Sequence, residues 1–505
     1  MSDHRILPKV HHLPQALYRA EQVRELDRLA IEEYGIPGET LMERAGKAAW
    51  ELLEQRWPAA SRLVVLVGTG NNGGDGFVVA RLAHQAGRKV TVLQLGDRDR
   101  LSGDARTNAL RYAALSGDWR AFEGILPENA DLLVDGIFGT GLEREVADTW
   151  AEAIRAVNGH RAPVLALDLP SGLHADTGAV LGTAVRAEAT ISFIGLKQGM
   201  FTGEGPACCG EIFFDSLEVP ARLYGHLVIS ARRIDWARQR DLLQPRVATA
   251  HKGHFGHVLV IGGDRGMGGA ARLAAEAALR TGAGLVSLAT RPEHVVPVLA
   301  TRPEIMAHGI EDPLQLDPLL RHSTHIAIGP GLGQSDWGRA LFEMAMAAGR
   351  PLVVDADGLN LLAEAPVLRD DWVLTPHPGE AARLLDSCVA EVQADRFAAV
   401  EQLQRRYGGV AVLKGAGTLI ASGGDRRPAV CSDGNPGMAS GGMGDVLTGV
   451  VAGWLAQGQP LAAAAELAVS LHSAAADKAA RAGRRGLLAM DLMSHVRRLA
   501  NPDNE

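Results

Sequence analysis

Cysteine is scarce in this chain: four in 505 residues, at positions 208, 209, 388 and 431. The first two are adjacent and the others scattered, so no disulfide framework is expected, and a reducing, cytoplasmic setting fits. Cationic charge is short as well. Lys and Arg number 51 against 59 Asp and Glu, a formal net charge of −8, whereas nucleic-acid affinity needs clustered cations to neutralise phosphates, so that partner class is excluded. Long hydrophobic runs are missing. The longest, residues 446–456, is too short and too glycine-rich to span a bilayer. Residues 16–55 mix charges with helix formers and show no apolar core of a secretory signal, so no membrane partner is expected.

What is present is glycine, 59 residues of it, in a chain two to three times the usual domain length. From residue 62 one theme repeats: a short β-branched run, a glycine or acidic turn, then an amphipathic stretch. Strands are expected at 63–67, 90–95, 132–134, 164–167 and 191–194, with a helix over 77–85. After an Arg-rich stretch through 246 a second series follows at 258–261, 284–288, 326–328, 352–354, 372–374 and 410–413, closed by helices over 446–456 and 461–480. The two series share no repeat, which predicts two different α/β domains, 1–225 and 226–505.

In open parallel sheets ligands sit beyond the carboxyl ends of the strands. After the first strand comes Gly68-Thr69-Gly70-Asn71-Asn72-Gly73-Gly74-Asp75-Gly76, a layout for cradling phosphate at a helix N-terminus. The run formally fits G-x-G-x-x-G, with Asp97 following, but that match alone is weak and no hydride-transfer constellation accompanies it. Two further strand ends carry acids, Asp135 ahead of Gly139-Thr140-Gly141-Leu142-Glu143-Arg144-Glu145, and Asp168 ahead of Ser171. One such Asp is usually a turn former. Three polar strand ends facing one crevice point instead to a site. Lys197 is expected as a solvated loop lysine.

The second series carries Gly262 to Ala270 in one glycine loop, Gly329-Pro330-Gly331-Leu332-Gly333 in another, and Gly441-Gly442-Met443-Gly444-Asp445 at a helix start. The motifs Asp355-Ala356-Asp357-Gly358-Leu359-Asn360, Thr375-Pro376-His377-Pro378-Gly379-Glu380 and Lys414-Gly415-Ala416-Gly417-Thr418 also follow strands. Glycines at a helix start expose N–H groups to a transferring phosphate, and an Asp ending the loop is placed to deprotonate a hydroxyl. His251, His254 and His257 form no metal site on this reading, because no Cys pair accompanies them. The stretch His251-Lys252-Gly253 is expected to border the substrate pocket instead.

The first set of motifs resembles the NAD(P)H-hydrate epimerase family, and the second resembles the ribokinase-like superfamily and, within it, the ADP- or ATP-dependent NAD(P)H-hydrate dehydratases. The resemblance implies a Rossmann-like three-layer parallel sheet followed by a ribokinase-like α/β domain. It implies that Asn71, Asn72, Gly73, Gly74, Asp75 and the segment Gly139, Thr140, Gly141, Leu142, Glu143, Arg144, Glu145 bind the hydrated cofactor, that Asn72, Asp135 and Ser171 ligate K+, and that Asp168 is catalytic. It further implies ADP or AMP on Lys414, Gly415, Ala416, Gly417, Thr418 and Gly444, hydrate against Ala270, Gly331, Gly333 and His377, and Asp445 as base. NADHX and NADPHX, ADP or ATP, and Mg2+ are then the small-molecule partners, and a homo-oligomer is expected. Two other readings stand beside this one: a vitamin-precursor kinase such as hydroxyethylthiazole kinase for the second half, and a non-catalytic binding module for the first.

Overall fold

The computed structural model describes residues 13–501. It separates into two compact units, Met1–Arg232 and Arg233–Glu505. The division lies beyond residue 225 because the turn Ala221–His226 belongs to the first unit: Leu223 is buried in that core, and the Tyr224 hydroxyl donates to Ile194 O at 2.8 Å.

The first unit is built on seven parallel strands: β1 (Arg62–Val67), β2 (Lys89–Gln94), β3 (Asp118–Ala121), β4 (Leu132–Gly136), β5 (Val164–Leu167), β6 (Ala189–Phe193) and β7 (Glu211–Asp215), in the order β3-β2-β1-β4-β5-β6-β7. Alternation puts Leu63, Val65 and Val67 of β1 into one apolar cluster and Val64 and Leu66 into another. Both faces are therefore covered, which is why the strand reads as an unbroken apolar run. Edge strands β3 and β7 escape sequence reading because charges interrupt their apolar pattern, as in Asp118-Trp119-Arg120-Ala121.

The helix after β1 spans Asn71–Gln85, so the asparagine-rich stretch is its first turn and not a loop ahead of residue 77. Its amide ladder begins with Gly74 N–H donating to Gly70 O at 3.2 Å. Glycine permits this early start, since a Cβ on Gly73 would lie 2.3 Å from Gly68 O.

The second unit has β8 (His257–Ile261), β9 (Leu285–Thr290), β10 (Met306–Gly309), β11 (His325–Ile328), β12 (Leu352–Val354), β13 (Trp372–Leu374), β14 (Val410–Leu413), β15 (Leu419–Ser422) and β16 (Ala429–Cys431), ordered β10-β9-β8-β11-β12-β13-β14-β15-β16. Strands β8 to β14 run parallel, and β14, β15 and β16 pair antiparallel. The Ala-rich helices Gly268–Thr281, Met443–Ala456 and Leu461–Ala479 contribute to one large buried cluster that includes Val258 and Val260 of β8. No helix among the described residues is long and apolar enough to cross a membrane.

Candidate active sites

In the first unit the tips of β1, β4 and β5 converge as the motifs require. Asp135, at the end of β4, is fully buried and accepts from the Ser171 hydroxyl at 2.6 Å, Ser171 N–H at 2.8 Å and Ile137 N–H at 3.2 Å. Burial pushes its carboxyl up to about 6, against the lowering effect of those donors. Asn72 donates through Nδ2 to Phe138 O at 2.8 Å, which orients the amide, since a carbonyl can only accept. Its Oδ1 is then left buried with no hydrogen-bond partner. An orphaned amide oxygen near a buried carboxylate, a serine hydroxyl and a main-chain carbonyl is a donor set for a hard monovalent cation, and the residues therefore fit potassium.

Asp168, the first residue after β5, sits at φ 64°. For a non-glycine residue this left-handed backbone is costly, and it places the carboxylate at the strand tip. A Cβ on Gly139 would lie 3.5 Å from Asp168 Oδ2 and 3.4 Å from Asn72 Cβ, so the 139–145 loop crosses directly over both residues. Within that loop Leu142 turns into the core, while Glu143, Arg144 and Glu145 are exposed.

Lys197 corrects the expectation made for it. Instead of lying in solvent it is fully buried, ion-paired to Asp168, with Nζ donating to Ser192 Oγ at 3.0 Å and Phe193 O at 3.4 Å. Asp27 belongs to no motif in the sequence. It lies on the helix Ala20–Glu32 and is pushed up to about 7, by burial first and then by Asp168, with Lys197 opposing. Asp75 is raised for the same reasons, burial first, then Asp168 and Asp27. Three carboxylates thus feel the charge of one ammonium. The signal for Asp27 was helical phase, an acid on the face that buries Val23, Leu26 and Ala30.

Asp97 accepts from Asp99 N–H at 3.0 Å as a local cap. That is a turn-forming role.

In the second unit the glycine loops also meet. A Cβ on Gly331 would lie 3.3 Å from Ala270 Cβ, and one on Gly333 would lie 2.9 Å from Asp264 Oδ2. His377 caps the helix Pro378–Leu385, its Nδ1 accepting from Gly379 N–H at 2.9 Å, and its Nε2 lies 3.4 Å from Glu380 Oε1. Glu380 in turn approaches Lys414 Nζ at 3.8 Å, which places His377 and the strand-end lysine along one rim. Burial pushes Glu380 up to about 7, with Lys414 opposing and Asp355 reinforcing the rise.

Lys414, just after β14, is largely buried. Its ammonium is engaged by Asp355 at 2.6 Å. Gly444 lies over this pair, since a Cβ there would come within 3.2 Å of Lys414 Nζ. Asp445 follows in the first turn of Met443–Ala456, its carboxyl pushed up to about 6 by burial and Asp355, with Lys414 opposing.

The stretch at His251 is on the wrong end of the sheet for a pocket. Gly284 N–H donates to Phe255 O at 2.9 Å and Leu285 N–H to Gly256 O at 3.1 Å, which ties residues 251–256 to the amino end of β9. His257 has Ser287 Oγ at 2.8 Å from Nε2 and His322 O at 3.2 Å from Nδ1, so both ring nitrogens have partners within the protein.

Comparison with known proteins follows the same division. Residues 38–199 match the family described as YjeF-related protein N-terminus, and residues 258–498 match NAD(P)H-hydrate dehydratase. The chain is 50% identical over 489 residues to the bifunctional NAD(P)H-hydrate repair enzyme Nnr of Coxiella burnetii, covering 96% of this chain and 99% of that one. The chain belongs to the bifunctional NAD(P)H-hydrate repair enzymes. The Escherichia coli member is 43% identical over 507 residues, covering 100% of this chain and 97% of its own. Among solved structures, a ribokinase-like superfamily protein from Enterococcus faecalis matches with TM-score 0.51 and 29% identity, over 54% of this chain and 96% of that chain. The family places epimerase and dehydratase domains in one polypeptide, which removes the vitamin-kinase and scaffold readings.

Proposed function

We propose that the first unit interconverts the R and S hydrates of NADH and NADPH and that the second dehydrates the S form to the intact cofactor at the expense of ADP. The observation that carries this is a carboxylate at the tip of each sheet, Asp168 and Asp445, beside glycine-rich loops, in a chain matched end to end by repair enzymes.

In the first unit Asn71, Asn72, Gly73, Gly74 and Asp75 at the helix start, with the 139–145 loop, hold the hydrated dinucleotide. Asp168 takes and returns a proton as the hydroxyl-bearing ring carbon opens and recloses, and the Lys197 ammonium keeps its carboxylate in place. Asn72, Asp135 and Ser171 are the residues that would hold potassium, which supplies fixed positive charge for a phosphate of the dinucleotide.

In the second unit the hydrate lies against Ala270, Gly331, Gly333 and His377, and the nucleotide on residues 414–418 and Gly444. Asp445, at about 6, is ionised at neutral pH yet basic enough to accept the ring hydroxyl proton. The freed oxygen attacks the terminal phosphorus of ADP, and AMP leaves. The C–O bond then breaks with loss of phosphate, a proton leaves the neighbouring carbon, and the dihydropyridine double bond returns. Magnesium would come with the nucleotide and supply counter-charge to its phosphates. ATP serves the same chemistry. The unpaired thiols Cys208, Cys209, Cys388 and Cys431 support a cytoplasmic setting.

The test is incubation of the full chain with mixed R and S hydrates, ADP, magnesium and potassium, following reduced-cofactor absorbance. Complete recovery is expected, and Asp168→Asn should stop recovery at the S share once spontaneous epimerisation is subtracted. Complete recovery by that variant at the unaltered rate would overturn the role of Asp168, and no recovery by the wild type would overturn the function.

A further inference from the structure

Arg396 is almost wholly buried. It is the first residue of the helix Arg396–Tyr407, whose N-cap Asp395 accepts from Ala398 N–H at 2.9 Å. Its guanidinium reaches under the turn that leaves β14. One terminal nitrogen, Nη2, donates to Leu413 O at 3.3 Å and to Lys414 O at 3.2 Å, and Nη1 donates to Gln393 Oε1 at 2.7 Å.

Two consecutive carbonyls on one cation are not a strand geometry, because in an extended chain successive carbonyls point to opposite edges. The chain kinks at this point. Gly415 has φ +140°, and a Cβ on it would lie 2.9 Å from Arg396 Nη2 and 3.2 Å from Cζ. The guanidinium therefore occupies the space a side chain at 415 would need.

A trans peptide sets its N–H opposite its carbonyl. With Leu413 O turned to Arg396, Lys414 N–H points the other way and donates to Pro376 O at 2.9 Å. With Lys414 O turned to the same guanidinium, Gly415 N–H must point away from it, toward the outer side of the loop. Lys414 is held at its other end by Asp355, so the strand end is gripped through main chain and side chain together.

Burial lowers the Arg396 guanidinium to about 10, so it stays charged at neutral pH. A full positive charge beneath the loop, screened from water, attracts an anion on the opposite side more strongly than a solvated arginine would.

We infer that Arg396 is a positioning residue for the nucleotide: it turns the Leu413 and Lys414 carbonyls inward, so that Gly415 presents its N–H outward, and it places a buried positive charge behind the phosphates. This rests on residues 414–418 being the nucleotide loop, as proposed above. The ligand class is a nucleoside di- or triphosphate.

The experiment uses the full-length protein, with ADP affinity read by calorimetry and dehydratase rates read against ADP and against S hydrate separately. Arg396→Met should raise Kd and KM for ADP about tenfold or more, the scale of losing hydrogen bonds to a charged group, with KM for hydrate and the epimerase rate unchanged. Arg396→Lys, which keeps charge but not the fork, should recover part of the loss. Wild-type ADP affinity in Arg396→Met overturns the inference, and so does an equal loss across ADP and hydrate, which is what a purely structural arginine would give. If Arg396→Met does not fold, Gln393→Ala decides, because it removes the Gln393–Nη1 hydrogen bond and leaves the charge: an ADP-specific rise of a few-fold supports the inference, and unchanged ADP affinity overturns it. Gly417→Val obstructs the loop itself. Normal ADP affinity in that variant overturns the loop assignment, whereas loss there with none in Arg396→Met overturns only the role of the arginine.

Discussion

Lys414 Nζ lies 2.6 Å from Asp355 Oδ1, and the other oxygen of that carboxylate accepts from the Thr448 hydroxyl at 2.7 Å. Burial by itself would raise the Asp355 carboxyl. The Lys414 charge and the hydrogen bonds from Lys414, Thr448 and Thr375 hold it below the usual carboxylate range. The strand tips of β12 and β14 and the helix Met443–Ala456 are thus joined through one buried ion pair.

Removing one partner from such a pair leaves an uncompensated buried charge. Asp355→Ala is expected to cost about 3–5 kcal/mol of unfolding free energy, and adding Lys414→Met should restore part of it. Chemical denaturation of the single and double variants checks this. A double variant no more stable than the single would show that the pair is not the source of the loss.

Potassium is tested by ion exchange. Replacing K+ by choline at constant ionic strength should slow epimerisation about 10–100-fold and leave dehydration of the S hydrate unaffected. Asn72→Leu, which removes the orphaned Oδ1, should be slow in both media. A wild-type epimerase rate indifferent to the cation would remove potassium from the site.

Asp445 links activity to stability. Its carboxyl rises from 3.8 to about 6 on folding, so the ionised form is the one the fold disfavours. Relative to Asp445→Asn, the wild type keeps its full stability below the unfolded value and loses it as pH rises through about 6. Asp445→Asn should therefore be inactive in dehydration and should melt higher than wild type at pH 7 to 8, the gap closing toward pH 4. Thermal melts across that range decide it, and a constant gap would contradict the assignment.

Asp27 titrates near 7 in the folded protein, where Asp168 and burial raise it. The epimerase pH–rate profile should carry an inflection in that region. Asp27→Asn, which mimics the protonated form at every pH, should flatten it while leaving the chain folded. An identical inflection in the variant would exclude Asp27 as its source.

The central strands were legible because each is apolar on both faces, and 63–67, 164–167, 352–354 and 410–413 need no context to be recognised. The glycine loops were legible because phosphate recognition writes itself into the sequence as glycine beside a strand end. Edge strands carried no such mark. Low helix propensity in glycine and asparagine puts the expected start at residue 77 of a helix that begins at Asn71, and only the close approach to Gly68 explains their place in the first turn.

The sequence alone, then, determined the two α/β units, the positions along the chain of the strands that carry chemistry, and the acids at their tips, because those properties are local periodicities and turn chemistries. Only the tertiary structure decided the electrostatic partners: Lys197 buried against Asp168, Asp27 brought to the same ammonium, Lys414 held by Asp355, and Arg396 turned beneath the loop at 415. Their separations in the chain are long, and a charged residue written in sequence looks the same whether it ends in water or against an opposite charge. What distinguishes the two is the cost of burying it, which arises only when the chain has packed.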